Sequence, residues 1–158
     1  IGRRLDREVI NLGFSGNALL DMEIAELMAS VDDPGLYVLD YVPNASADAI
    51  DQVGEHFFRI IRDAHPEVPV VFIEDVIFPH TIFDNKILEE VTKKNVAQKR
   101  LFKKLKQSGE KRIYYISAEG MIGDDGEATV DAIHFTDLGA MRYVDHVLPL
   151  IKRALRCH

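Results

Sequence analysis

Val70-Val71-Phe72-Ile73-Glu74-Asp75 is the most strand-like run of the chain. Its first four residues are apolar and mostly β-branched, without the polar alternation of a half-exposed strand. It therefore reads as a central strand of a parallel sheet, buried on both faces. On its N-terminal side, Asp48 to Ala64 keeps Ile50, Val53, Phe57, Ile60 and Ile61 on one helical face, and Pro66 and Pro69 bracket the exit. Before that helix, Leu36-Tyr-Val-Leu-Asp40 is a second strand, stopped by Pro43, which places Asn44 at the strand's carboxyl end. On the C-terminal side a loop from Ile77 to Asn85 leads into a long helix marked by Ile87, Leu88, Val91, Leu101, Phe102 and Leu105 and closed by Gly109. Arg112 to Ile116 is a third strand.

Two ends remain. Glu8 to Leu12 is a short apolar run closed by Gly13, expected to be a buried parallel strand, and Ala18 to Ala29 follows as a helix. The last helix runs from Thr136 towards Leu155, with Pro149 expected to kink or interrupt it. Strands alternating with helices at this spacing imply one doubly wound α/β domain of flavodoxin-like type over residues 1–158, with helices on both faces of the sheet. Ile1 to Arg7 reads like the end of a helix already under way, so the chain is expected to be a fragment or a processed product.

Composition narrows the partners. The 158 residues are 47% hydrophobic, enough for a real core, and carry 19 basic against 26 acidic groups for a net charge of −7. Nucleic acid is thus not expected as the main partner, since phosphate binding needs a basic excess. Between Val91 and Gly109 there are seven Lys or Arg and no acid, a pattern read as a solvated outer helix face. No apolar run approaches the roughly 20 residues of a membrane span, and the start does not resemble a signal peptide. A soluble protein is expected, cytoplasmic, or exported if a leader precedes it. The single cysteine, Cys157, forms no internal disulfide and leaves the redox compartment open.

In doubly wound sheets, function gathers at the carboxyl ends of the strands. Gly13 to Asn17, Pro43-Asn44, Asp75 to His80 and Asp131 to His134 all fall in loops of that kind. The last is the most informative. Asp131 and His134 lie three residues apart, just before the helix that Thr136 is expected to cap. An Asp bonded to one ring nitrogen of a His sets its tautomer and leaves the other nitrogen to accept a proton from a hydroxyl nucleophile. Metal binding by Asp131, His134, His80 or His146 is the weaker reading, because neither HExxH nor paired cysteines are present.

Gly13-Phe-Ser-Gly16-Asn17, Asp40-Tyr-Val-Pro43-Asn44 and Asp131-Ala-Ile-His134 resemble, in order and rough spacing, the second, third and fifth sequence blocks of the SGNH (GDSL-type) esterase and acylhydrolase superfamily. The resemblance implies a three-layer α/β/α sandwich, a small-molecule ester substrate and no metal or organic cofactor. It also implies that Asp131 and His134 are the triad acid and base, and that Gly16 and Asn44 are oxyanion-hole donors. The backbone N–H of a glycine and a side-chain amide suit that role. Phe135 stands where many relatives have proline.

The superfamily's Gly-Asp-Ser block is not found here, and the fifteen residues before Gly16 hold one serine, Ser15. On this resemblance the nucleophile and the first strand precede Ile1, and the chain as given is expected to be inactive. Loss of a mid-sheet strand is expected to expose strand edges, leave a cleft and drive self-association. Two rival expectations remain. Ser15 could serve as nucleophile, although Asn17 occupies the last glycine position of a G-x-S-x-G elbow. Alternatively, the domain could be a non-enzymatic flavodoxin-like binding module.

Overall fold

The computed structural model describes residues 1–156, the side chain of Ile82 excepted; Cys157 therefore lies outside the described residues. In chain order the elements are α1 (Gly2–Leu5), α2 (Met22–Ala29), β1 (Tyr37–Leu39), α3 (Ala47–Ala64), β2 (Val70–Ile73), a 3-10 turn (Pro79–Ile82), α4 (Asn85–Gln107), β3 (Ile113–Ile116) and α5 (Asp137–Arg156). The strands form one parallel sheet in the order β1-β2-β3, with Tyr37 opposite Val70 and Val70 opposite Ile113.

The run at Val70–Ile73 is the middle strand, and it shows why a continuous apolar sequence was needed. Val70 and Phe72 enter a core shared with α2, α3 and α4, whereas Val71 and Ile73 enter a second core with Val147, Ile151 and Ala154 of α5. Successive side chains point to opposite faces, so a strand covered on both sides requires apolar residues at every position. β3 divides likewise, Ile113 on the first face and Ile116 on the second. The layers are helix, sheet and helix. Burial of rings such as Phe58 and Phe72, each essentially without exposure, contributes about 2–3 kcal/mol apiece to the larger core.

The helices begin where the sequence supplies caps. Ser46 Oγ accepts the Ala49 N–H at 3.1 Å to start α3. Asp84 Oδ1 accepts the N–H groups of Lys86 and Ile87 at 3.0 and 3.2 Å to start α4, satisfying donors the first turn would otherwise leave open. Part of the basic face of α4 is paired with acids of α3: Arg100 with Asp51, and Lys104 with Glu55 at 2.7 Å. Such exposed pairs are typically worth less than about 1 kcal/mol each.

Two expectations are corrected. Glu8 to Leu12 is not a strand; it runs as irregular chain with Val9 and Ile10 exposed by 55% and 57%. A strand exists only where a neighbour offers a ladder, and among the described residues nothing pairs with this run. Between residues 7–14 and the edge of β1 lies instead a cleft of about 840 Å³, lined also by Asp40, Tyr41 and Phe57. Nor does Pro149 interrupt α5, which continues unbroken to Arg156. Pro149 faces solvent while Val147, Leu148 and Ile151 are buried on the other face. Packing of the opposite face offsets the lost bond.

Candidate active site

After β3 the chain makes a long excursion before α5, and the Asp131–His134 turn is its tip. Two backbone bonds close its neck: Thr136 N–H to Ala128 O at 2.9 Å and Val130 N–H to His134 O at 2.8 Å. Thr136 works on both sides of the junction. Its Oγ donates to Glu127 O at 2.9 Å and accepts the Gly139 N–H at 3.0 Å, capping α5 as its sequence position predicts. Gly139 lets the helix approach the loop: a Cβ there would stand 1.9 Å from Ala128 O. Only a residue without a side chain fits.

Within the tip, Asp131 uses both oxygens. Oδ1 accepts the N–H groups of Ile133 and His134 at 3.0 and 2.8 Å, and Oδ2 lies 2.6 Å from His134 Nδ1. These bonds, the one from the His134 side chain foremost, hold the Asp131 carboxyl down at about 2, so it is ionised at neutral pH. The same tight turn drives Ala132 to a φ of 74°, a left-handed conformation that costs a non-glycine residue on the order of 1 kcal/mol. Side-chain exposures of 53% for Asp131 and 77% for His134 leave Nε2 in reach of an incoming group.

The tip is tied to the carboxyl end of β1. Phe135, next to His134, packs its ring 5.5 Å from that of Tyr143 on α5. The Tyr143 hydroxyl donates to Asp40 Oδ2 at 2.5 Å. Asp40 also lines the cleft beside β1. The neighbouring protein crowds its carboxyl and pushes its pKa up, against the opposing pull of the Tyr143 bond. Farther back, Arg142 clamps the excursion onto α5 through Ile122 O at 3.1 Å and both oxygens of Asp125 at 2.7 Å.

Asn44 sits in the turn between β1 and α3, with its N–H bonded to Tyr41 O at 3.0 Å and its side chain exposed. Gly16 occupies a tight turn with φ +67°, closed by Asn17 N–H to Phe14 O at 3.0 Å. Thus the structure joins Asp131 to His134 directly. Among the described residues, no hydrogen bond or ring contact joins Gly16, Asn44 or Ser15 to that pair. Neither do Gly16, Asn44, Asp131 and His134 line the large cleft, although Phe14, Asn17, Asp40 and Tyr41 beside them do.

Two residues near the site, Tyr143 and Lys94, were not singled out from sequence, and Asp75 was named only as the start of the Asp75 to His80 loop. Asp75, at the end of β2, is 4% exposed, and burial pushes its carboxyl up to about 6 despite Lys94 nearby. An acid at or just beyond the end of an apolar strand, as at Asp40 and Asp75, was the available signal. Tyr143 and Lys94 carried none, since each reads as one more residue of an amphipathic helix.

Comparison with known proteins agrees with the α/β fold. The chain is 33% identical to a candidate GDSL-like lipase from Bacteroides ovatus, with a TM-score of 0.90 over 95% of this chain and 44% of that one. A salicylyl-acyltransferase of a tetracycline biosynthetic pathway shares the fold at 17% identity, with a TM-score of 0.66 over 85% of this chain and 41% of that one. The chain therefore spans less than half the length of either structure. No curated protein matches it. Among the described residues no helix is long and apolar enough to cross a membrane. The α/β/α architecture agrees with the model of the GDSL-like lipase/acylhydrolase family, which matches residues 1–152, and the chain belongs to that family.

Proposed function

We propose that the intact polypeptide is a serine carboxylic-ester hydrolase acting on an acetylated carbohydrate or a lipid-like ester. The observation that carries the reading is the 2.6 Å contact between His134 Nδ1 and Asp131 Oδ2 on an accessible loop tip. An ionised Asp131 holds the proton on Nδ1, so Nε2 is the basic nitrogen and takes the proton of a serine hydroxyl as that oxygen attacks the ester carbonyl. The tetrahedral oxyanion is received by the Gly16 N–H, the Asn44 side-chain amide and the nucleophile's own N–H. One such donor is worth about 3 kcal/mol of barrier. His134 then protonates the leaving alcohol, and water repeats the sequence to release the acid.

The serine belongs to polypeptide outside residues 1–158. A strand seated in the cleft beside β1, parallel to it, would end level with Asp40, and Asp40 is joined through Tyr143 and Phe135 to His134. A nucleophile at the carboxyl end of that strand would thus be delivered to the imidazole.

Hydrolysis of an aryl acetate by the full-length protein tests this. His134→Ala is expected to lower turnover by about 10³-fold or more, and Ser15→Ala to leave it largely intact. Ester hydrolysis by the 158-residue chain alone, abolished by Ser15→Ala, would instead assign the nucleophile to Ser15. Unchanged turnover in His134→Ala would remove His134 from the mechanism, and no ester turnover in the wild-type full-length protein would favour a binding module.

A further inference from the structure

Lys94 and Asn95 are consecutive on α4, and each holds the carboxyl end of a different strand. Asn95 brackets Asp75, accepting its N–H at 2.7 Å and donating to its carbonyl at 2.9 Å. Lys94 donates from Nζ to Pro43 O at 3.2 Å, the residue before Asn44. The Lys94 side chain is only 12% exposed, and among the described residues it pairs with the largely exposed Glu90, at 3.4 Å. An ammonium withdrawn this far from water needs charge and hydrogen-bond partners that stay with it. The carboxylate of Asp75 is the buried one.

Resting on the esterase reading above, we propose that Lys94 is a positioning residue for the oxyanion donor. Its ammonium pins the Pro43–Asn44 turn to α4 and balances the Asp75 carboxylate behind that turn, so the Asn44 amide stays aimed while negative charge develops on the substrate. Among the described residues, the charged and titratable groups that act on Asp75 include Lys94 and Glu90 from α4, Asp40 from the end of β1 and Tyr143 from α5. Lys94 is the one cation in that group. Without it the turn keeps only the tie of Tyr41 to Gln98 of α4, at 2.7 Å, and Asp75, Asp40 and Glu90 face the site without a balancing charge.

The test compares Lys94→Met and Lys94→Arg in the full-length protein. Lys94→Met is expected to lower kcat about tenfold with KM nearly unchanged, since the oxyanion donor acts mainly in the transition state. Lys94→Arg should recover most of the loss by keeping the charge. Two readouts do not depend on activity: NMR titration should show the Asp75 carboxyl midpoint moving up in Lys94→Met, and hydrogen exchange at the Asn44 and Ala45 amides should speed up. If Lys94→Met fails to fold, Lys94→Gln carries the same expectations. A kcat loss matched by KM, no recovery in Lys94→Arg, or an unmoved Asp75 midpoint would overturn the proposal. Should the wild-type protein hydrolyse no ester, the esterase reading fails separately, and the titration and exchange results still decide whether Lys94 holds this turn.

Discussion

The Tyr143 hydroxyl donates to Asp40 Oδ2 at 2.5 Å, and this bond links α5 and the His134 loop to the carboxyl end of β1. The tyrosine ring meets Phe135 on one side while its hydroxyl reaches the strand end on the other. Tyr143→Phe keeps the ring and removes only the tie. It is expected to leave the thermal melt within about 1 kcal/mol of wild type and to lower turnover roughly tenfold by letting the tip drift. Faster hydrogen exchange at the Val130 amide, bonded to His134 O, would accompany the loss; unchanged turnover would show that the loop holds its own geometry.

Gly139 is the steric hinge of the same loop. With Ala128 O 1.9 Å from where a Cβ would stand, Gly139→Ala must push the loop neck away from the helix start. The gain in helix propensity, at most about 1 kcal/mol, is smaller than the cost of breaking the Thr136–Ala128 bond and displacing the neck. A lowered melting temperature together with loss of turnover is expected, whereas a stabilised, active Gly139→Ala protein would contradict the contact.

Asp75 sets a pH dependence whose sign follows from its burial. Its carboxyl is raised to about 6 by desolvation, so the fold favours the protonated form. The folded state is therefore relatively most stable below the ordinary carboxylate value of about 4 and loses stability as pH rises from there through about 6. Asp40, raised by the same kind of crowding, acts in the same direction. Asp75→Asn removes the Asp75 titration, so its stability is expected to change less between pH 4 and pH 8 than that of wild type, although it also takes the buried carboxylate away from Lys94. Denaturant melts at the two pH values check it, and a variant whose stability changes with pH as much as that of wild type would contradict it.

The edge of β1 and the cleft beside it predict the solution behaviour of the 158-residue chain. Exposed Val9, Ile10, Phe14 and Leu19, close to an unpaired strand edge, favour association through that face. Sedimentation velocity is expected to show concentration-dependent oligomers, reduced by Val38→Lys on the same strand. A monodisperse, thermostable monomer would count against it.

Reading the sequence alone reached the sheet and its helices because their signals are local: an unbroken apolar run for β2, helical spacing for α3 to α5, and Thr136 as a cap. The Asp131–His134 pair was legible for the same reason, since three residues of spacing and one Asx-type turn bring carboxylate to ring without help from the rest of the chain. Sequence failed where a partner decides the outcome. Glu8 to Leu12 has the composition of a strand but no neighbour to complete its ladder, and Pro149 breaks a bond that packing on the opposite face replaces. Tertiary structure alone decided that Tyr143 meets Asp40, that Lys94 reaches Pro43 and that Asp75 is buried with its pKa raised. Each joins residues far apart in the chain, and only the stacking of helices on the sheet, driven by burial of the two cores, sets those distances.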